Sequence, residues 1–127
     1  MTEVRQRLGR EVEEMAARAL ARAGMGIIAR NARTSQVRGE IDLIALDRGD
    51  LVFVEVKGRR AGRALGPERP ALAVTRSKQA KLRTLARAWL ADHGGELPCY
   101  RGLRFDVVGV TIDDSGVVDW EHLRAAF

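Results

Sequence analysis

One cysteine, Cys99, and two histidines, His93 and His122, are all the nitrogen and sulfur metal ligands that the chain offers. A lone cysteine excludes an internal disulfide and a cysteine-held zinc site, and the two histidines stand far apart without ligand-like spacing. Any bound metal therefore sits among carboxylates, which favours a hard cation such as magnesium or manganese. Long hydrophobic runs are missing too: there is no stretch of about 18 apolar residues, so no membrane-spanning helix is expected. The opening residues MTEVRQRLGREVEE are charged from the start and lack the apolar core of a secretory signal. The expectation is a cytoplasmic protein with no membrane partner. Repeats, low-complexity tracts and linkers are also absent, so residues 1–127 are expected to form one domain around a single core.

Charge is what the chain has, and it is unevenly spread. The net charge is +5, but Lys57 to Arg87 alone holds ten Lys/Arg against one acid, Glu68, a balance of +9. The remaining residues thus sum to −4. A basic segment on a mildly acidic background suits a polyanion partner; a solvated basic helix face is the plainer alternative.

Hydrophobic spacing predicts a helix over 4–23, where Leu8, Val12, Met15, Ala16, Ala19, Leu20 and Ala23 recur at helical intervals before Gly24 and Gly26. A short strand is expected at Ile27–Arg30 and a loop over 34–40. Ile41–Leu46 and Leu51–Lys57 read as strands joined by the turn Asp47-Arg48-Gly49-Asp50. Three glycines and two prolines over 58–71 predict a basic loop. A second helix is expected over 75–92, with Thr75 as its cap and Leu82, Leu85, Ala86, Trp89 and Leu90 as its apolar stripe. Leu103–Thr111 reads as a strand, 114–116 as a turn, Val117-Val118 as a short strand and Asp119–Ala126 as a terminal helix. The expected core is an α/β domain with a central mixed sheet flanked by helices, in the order αβββαβ.

If the turn centres on Arg48-Gly49, facing residues carry numbers that sum to 97. Asp42 then lies opposite Glu55, and Glu40 opposite Lys57, with partners' Cβ atoms roughly 5 Å apart. Glu55 and Lys57 share a face because strand side chains alternate. Two carboxylates at ~5 Å, under an effective dielectric of ~20, repel by about 3 kcal/mol. A divalent cation, a proton or Lys57 can relieve this. Two acids and an amine beside a basic segment suit metal-assisted phosphodiester hydrolysis. The alternative is a pair of salt bridges, Glu40–Lys57 and Asp42 with an arginine. Charges inside LVFVEVK are hard to explain that way, because burying them is costly.

Gly39-Glu40-Ile41-Asp42-Leu43-Ile44-Ala45 followed by Leu51-Val52-Phe53-Val54-Glu55-Val56-Lys57 resembles the YraN-like family, a branch of the PD-(D/E)xK, restriction-endonuclease-like nucleases similar to archaeal Holliday junction resolvases. The resemblance covers nearly the whole chain. It takes in Arg30-Asn31-x-Arg33, Lys78 and Arg104-Phe105-Asp106-Val107-Val108; Val12 stands where the family usually has glycine. It implies a restriction-endonuclease-like core and a Mg²⁺- or Mn²⁺-dependent endonuclease acting on DNA, branched or damaged structures included. Asp42, Glu55 and the Val56 carbonyl would hold the metal, and Lys57 would be the catalytic lysine. Glu13, at the border of its helix's apolar stripe, would join the metal ligands. A homodimer is implied as well. Nucleic-acid contacts are expected from Arg59, Arg60 and Arg63 as a patch, from Arg33, and from Lys78, which either snorkels or reaches the site. Asn31 either orders the site's edge or binds phosphate. Asp106 is expected to be a structural partner of Arg33 or one of the loop arginines, and Trp89 to be core. A non-catalytic nucleic-acid-binding module and an RNA-directed nuclease remain the rival readings.

Overall fold

A computed structural model describes residues 2–62 and 69–127, without the side chains of residues 2–8 and 118. The first helix, α1, runs Thr2–Arg22. Strands β1 (Gly26–Arg33), β2 (Glu40–Asp47) and β3 (Asp50–Arg60) follow, then a 3₁₀ turn at Pro70–Ala73, helix α2 (Arg76–His93), and strands β4 (Gly102–Asp113) and β5 (Gly116–Leu123). The five strands form one sheet in the order β1-β2-β3-β4-β5. Only β3 and β4 pair in parallel. That pairing needs a crossover connection, which α2 supplies.

The β2–β3 hairpin is set by its turn. Arg48 and Gly49 both have positive φ, 53° and 89°, the mirror-image geometry whose twist matches a hairpin. Arg101 clamps it, its main-chain N–H donating to Gly49 O at 2.7 Å and its guanidinium to Arg48 O at 2.8 Å. The pairs Leu43↔Val54, Ile44↔Phe53 and Ala45↔Val52 follow the expected register.

Both faces of the sheet are covered, which explains why these strands are apolar on both sides. Val12, Ala16, Ala17 and Leu20 of α1 pack on Leu43, Ala45, Val52, Val54, Val56, Val108, Val110 and Ile112. Leu82, Leu85, Ala86 and Trp89 of α2 pack on Ile41, Ile44, Leu51 and Phe53 of the other face. Thr75 caps α2 as expected, its side chain accepting from Lys78 N at 3.2 Å.

Three expectations are corrected. The segment 58–71 is not loop throughout. β3 continues through Gly58, Arg59 and Arg60 because β4 offers Val110, Thr111 and Ile112 as parallel partners, and a 3₁₀ turn occupies Pro70–Ala73. The terminal helix over 119–126 is absent. Its residues up to Leu123 continue β5, paired from Asp113↔Gly116 to Val107↔Leu123. An isolated eight-residue helix is marginal, whereas the open edge of β4 supplies a full row of backbone partners. The element order is therefore αβββαββ. β1 is also longer than Ile27–Arg30, running from Gly26 to Arg33 against β2.

Candidate active site

The ladder between β2 and β3 stops at Leu43↔Val54, so the expected cross-strand pair Asp42–Glu55 is not part of it. One residue beyond, the Asp42 carboxylate accepts the Val56 main-chain N–H at 2.8 Å. Asp42 thus holds the end of the hairpin with its side chain, at the point where the two backbones part. Glu55 and Lys57 project from β3 on the same face as Phe53, the face covered by α2. Glu55 Oε1 lies 3.4 Å from Lys57 Nζ and 3.3 Å from Lys78 Nζ. Lys78 therefore does not merely snorkel; from the first turn of α2 it reaches the Glu55 carboxylate. Gly39, Glu40, Asp42, Glu55, Lys78, Lys81, Leu82 and Leu85 line an open cleft of about 230 Å³.

Electrostatics mark the same place. Burial, and next the neighbouring Glu55 carboxylate, push the Asp42 carboxyl up to about 7, against the stabilising Val56 N–H. Burial and the adjacent Lys78 lower the Lys57 ammonium from its ordinary value. Lys78 is shifted the other way, chiefly through its interaction with Lys57. Opposed shifts among neighbouring groups are frequent where proton chemistry is performed.

Glu13 lines a second cleft of about 200 Å³ with Arg10, Glu14, Arg30, Asn31 and Leu43, near enough to Asp42 and Glu55 to act on them electrostatically. Its carboxyl is raised by burial and by Glu40, with a smaller push from Glu55, and the Asn31 side chain opposes them by hydrogen bonding. Asn31 has φ of 47°, a left-handed conformation that asparagine tolerates better than most residues. Among the described residues, no three His, Cys, Asp or Glu side chains are gathered at metal-holding distance. Glu13 thus stands next to the Asp42–Glu55 pair and does not complete a cage with it.

Several expected contacts differ. Glu40 pairs with Arg33 at 2.6 Å, its cross-strand partner on β1, and Lys57 with Glu55, so the Glu40–Lys57 bridge does not form. Arg59 and Arg60 are the last residues of β3, on opposite faces of the sheet. Arg63 lies outside the described residues. Asp106 is structural, but its partner is Arg104, with Nε–Oδ1 at 2.9 Å, and not Arg33 or a loop arginine. His122 Nε2 at 2.7 Å and Ala125 N at 3.0 Å complete its shell. Trp89 is core, edge-on to Phe53. Lys81, which lines the cleft one turn after Lys78, was not singled out in the sequence; its i, i+3 spacing from Lys78 was the available signal.

Fold and site together define an α/β protein with a mixed sheet, whose hairpin end brings two carboxylates and two lysines to one cleft. The chain belongs to the family described as Uncharacterised protein family UPF0102, whose model matches residues 12–110. This bears out the YraN-like resemblance. The chain is 48% identical over 117 residues to a UPF0102 protein of Streptomyces griseus, covering 92% of each. It is 48% identical over 120 residues to one of Rhodococcus jostii, covering 94% of this chain and 95% of the relative. With one of Anaeromyxobacter dehalogenans it shares 45% identity over 123 residues, 97% of this chain and 85% of the relative. Among the described residues no helix is long and apolar enough to cross a membrane.

Proposed function

We propose that this protein is a divalent-cation-dependent endonuclease of the restriction-endonuclease-like superfamily, hydrolysing phosphodiester bonds in DNA. The observation that carries the reading is the convergence of Asp42, Glu55 and Lys78 on one cleft where the β2–β3 ladder ends, with Lys57 held against Glu55 at 3.4 Å. The donor set fits a hard cation such as Mg²⁺ or Mn²⁺: two carboxylates that repel each other, one of them pushed up to about 7. Asp42 and Glu55 would hold it, with the Val56 carbonyl as the family resemblance implies and Glu13 alongside. When bound, such a cation supplies Lewis acidity toward a water and the phosphate.

The chain's own residues do the rest. Val56 N–H fixes the orientation of the Asp42 carboxylate. Lys57, anchored by Glu55, is placed to orient the attacking water and to offset charge developing on the phosphate. Its lowered proton affinity suits it to exchanging a proton during the reaction. Lys78 and Lys81 give the cleft wall a charge complementary to a phosphate backbone.

The test is cleavage of end-labelled single-stranded, duplex, flapped and four-way-junction DNA and of one RNA, with Mg²⁺, Mn²⁺ or EDTA. An Asp42→Ala variant purified in parallel is the control. Metal-dependent cutting that disappears in the variant is expected; RNA cut in preference to every DNA would redirect the reading to an RNA nuclease. Tight, salt-sensitive binding without cutting under any metal would make the protein a binding module. Lys57→Ala is expected to fold and to bind Mn²⁺ but to lose cleavage by orders of magnitude, and parental activity in that variant would reduce Lys57 to a structural role.

A further inference from the structure

Two ammonium groups meet on one carboxylate oxygen. Glu55 Oε1 holds Lys57 Nζ at 3.4 Å and Lys78 Nζ at 3.3 Å. The two lysines are not equivalent. The Lys57 side chain is 24% exposed and that of Lys78 51%. Lys57 lies on the central strand β3, beside Gly109 of β4, over which the 3₁₀ turn packs so closely that a Cβ on Gly109 would meet Ala71 N at 2.7 Å. Lys78 stands at the rim, on the first turn of α2, where its main-chain N–H is fixed by the Thr75 cap. Its backbone is held while its long side chain is free to change rotamer. Lys81, one turn further, lines the same cleft.

We propose that Lys78 is an exchangeable counter-ion: it neutralises Glu55 while no cation is bound, and turns outward onto a nucleic-acid phosphate beside Lys81 when a divalent cation takes Glu55. This rests on the nuclease reading above and deepens it. An oxygen engaged by a divalent cation loses its attraction for a nearby ammonium group, and the cation repels that group directly. Of the two lysines, the exposed one is the one that leaves. Cation and nucleic acid then favour each other's binding, because each relieves the competition that Lys78 sets up, and this coupling is reciprocal.

The experiment has two arms, each using the full chain with Lys78→Ala and Lys78→Met beside the parent. Calorimetric titration with Mn²⁺ alone should show the variants binding roughly fivefold to tenfold more tightly, since the competitor is gone. Binding of a labelled DNA duplex is then measured against salt, once in EDTA and once in Ca²⁺, a cation that takes carboxylate oxygens. In Ca²⁺ the variants should bind more weakly, with the salt slope smaller by about 0.9, one phosphate contact. In EDTA, where Lys78 is held by Glu55, parent and variants should coincide. Unchanged or weaker Mn²⁺ binding in the variants, or an equal loss of DNA binding in EDTA and Ca²⁺, overturns the exchange while leaving the nuclease reading standing. A parent chain that takes up no Mn²⁺ overturns both.

Discussion

Asp42 carries a carboxyl group pushed up to about 7, first by burial and then by Glu55, from an ordinary 3.8. A folded-state value above the unfolded one means that the folded chain binds this proton more tightly. The contribution of Asp42 to stability is therefore favourable below about pH 4 and is lost as pH rises through about 7. Asp42→Asn keeps an oxygen for the Val56 N–H and removes the charge. The variant is expected to be more stable than the parent at pH 8 by roughly 1–3 kcal/mol, with the gap closing near pH 4. Urea unfolding at the two pH values measures this; coincident stabilities at pH 8 would show that Asp42 costs the fold nothing. Asn31 offers a second residue-scale test. At its φ of 47° an alanine is strained and a glycine is not. Asn31→Ala is expected to be less stable than Asn31→Gly by roughly 0.5–1 kcal/mol. Both variants lose the amide that opposes the upward shift of Glu13, so an NMR titration should find that carboxyl higher in each. An unmoved Glu13 would mean that the hydrogen bond does not form in solution.

Elements meet closely where α1 crosses β3. A Cβ placed on Gly58 would stand 2.7 Å from Val12 Cγ1. Gly58→Ala is expected to destabilise by roughly 1–3 kcal/mol through overpacking. Val12→Ala also destabilises, by removing buried apolar atoms. Combined, the two changes should cost less than their sum by about 1 kcal/mol or more, measured as a double-mutant cycle. Strict additivity would mean that the helix shifts to absorb the methyl group, and that α1 is less tightly seated on the sheet than its packing indicates.

Across the whole molecule, the C-terminal end is tied back through one buried carboxylate. Asp106 is fully buried. It accepts from Arg104, His122 and the Ala125 N–H, while Arg104 also donates to Asp47 at 2.8 Å. Ala126 N donates to Phe105 O, and the Phe127 ring stacks on Phe105. Burial alone would raise the Asp106 carboxyl; its three donors outweigh that and hold it at about 2. A depressed folded-state value contributes stability that is present above about pH 4 and is lost as pH falls toward 2. Asp106→Asn is expected to cost roughly 3–5 kcal/mol at pH 7, since it leaves Arg104 short of a buried partner. It should also raise amide exchange along β5. A loss below about 1 kcal/mol would show that Asp47 alone satisfies Arg104.

Much of this was legible in the chain itself. Local rules decide a turn, a cap and an alternation, so Arg48-Gly49, Thr75 and the period-two pattern of β3 were enough to set the hairpin register and to place Glu55 and Lys57 on one face of β3. Other features depended on partners remote in sequence. β3 extends to Arg60 because β4 lies alongside, Asp119–Leu123 becomes a strand because the β4 edge is open, and Glu40 turns to Arg33 because β1 pairs there. Lys78 reaches Glu55 only because the crossover returns α2 over that face of the sheet. Sequence by itself determined the hairpin and its register, since turn chemistry and strand alternation act over a few residues. Tertiary structure alone decided which cations meet them and which strands close the sheet, since backbone and charge partners are chosen by proximity in space.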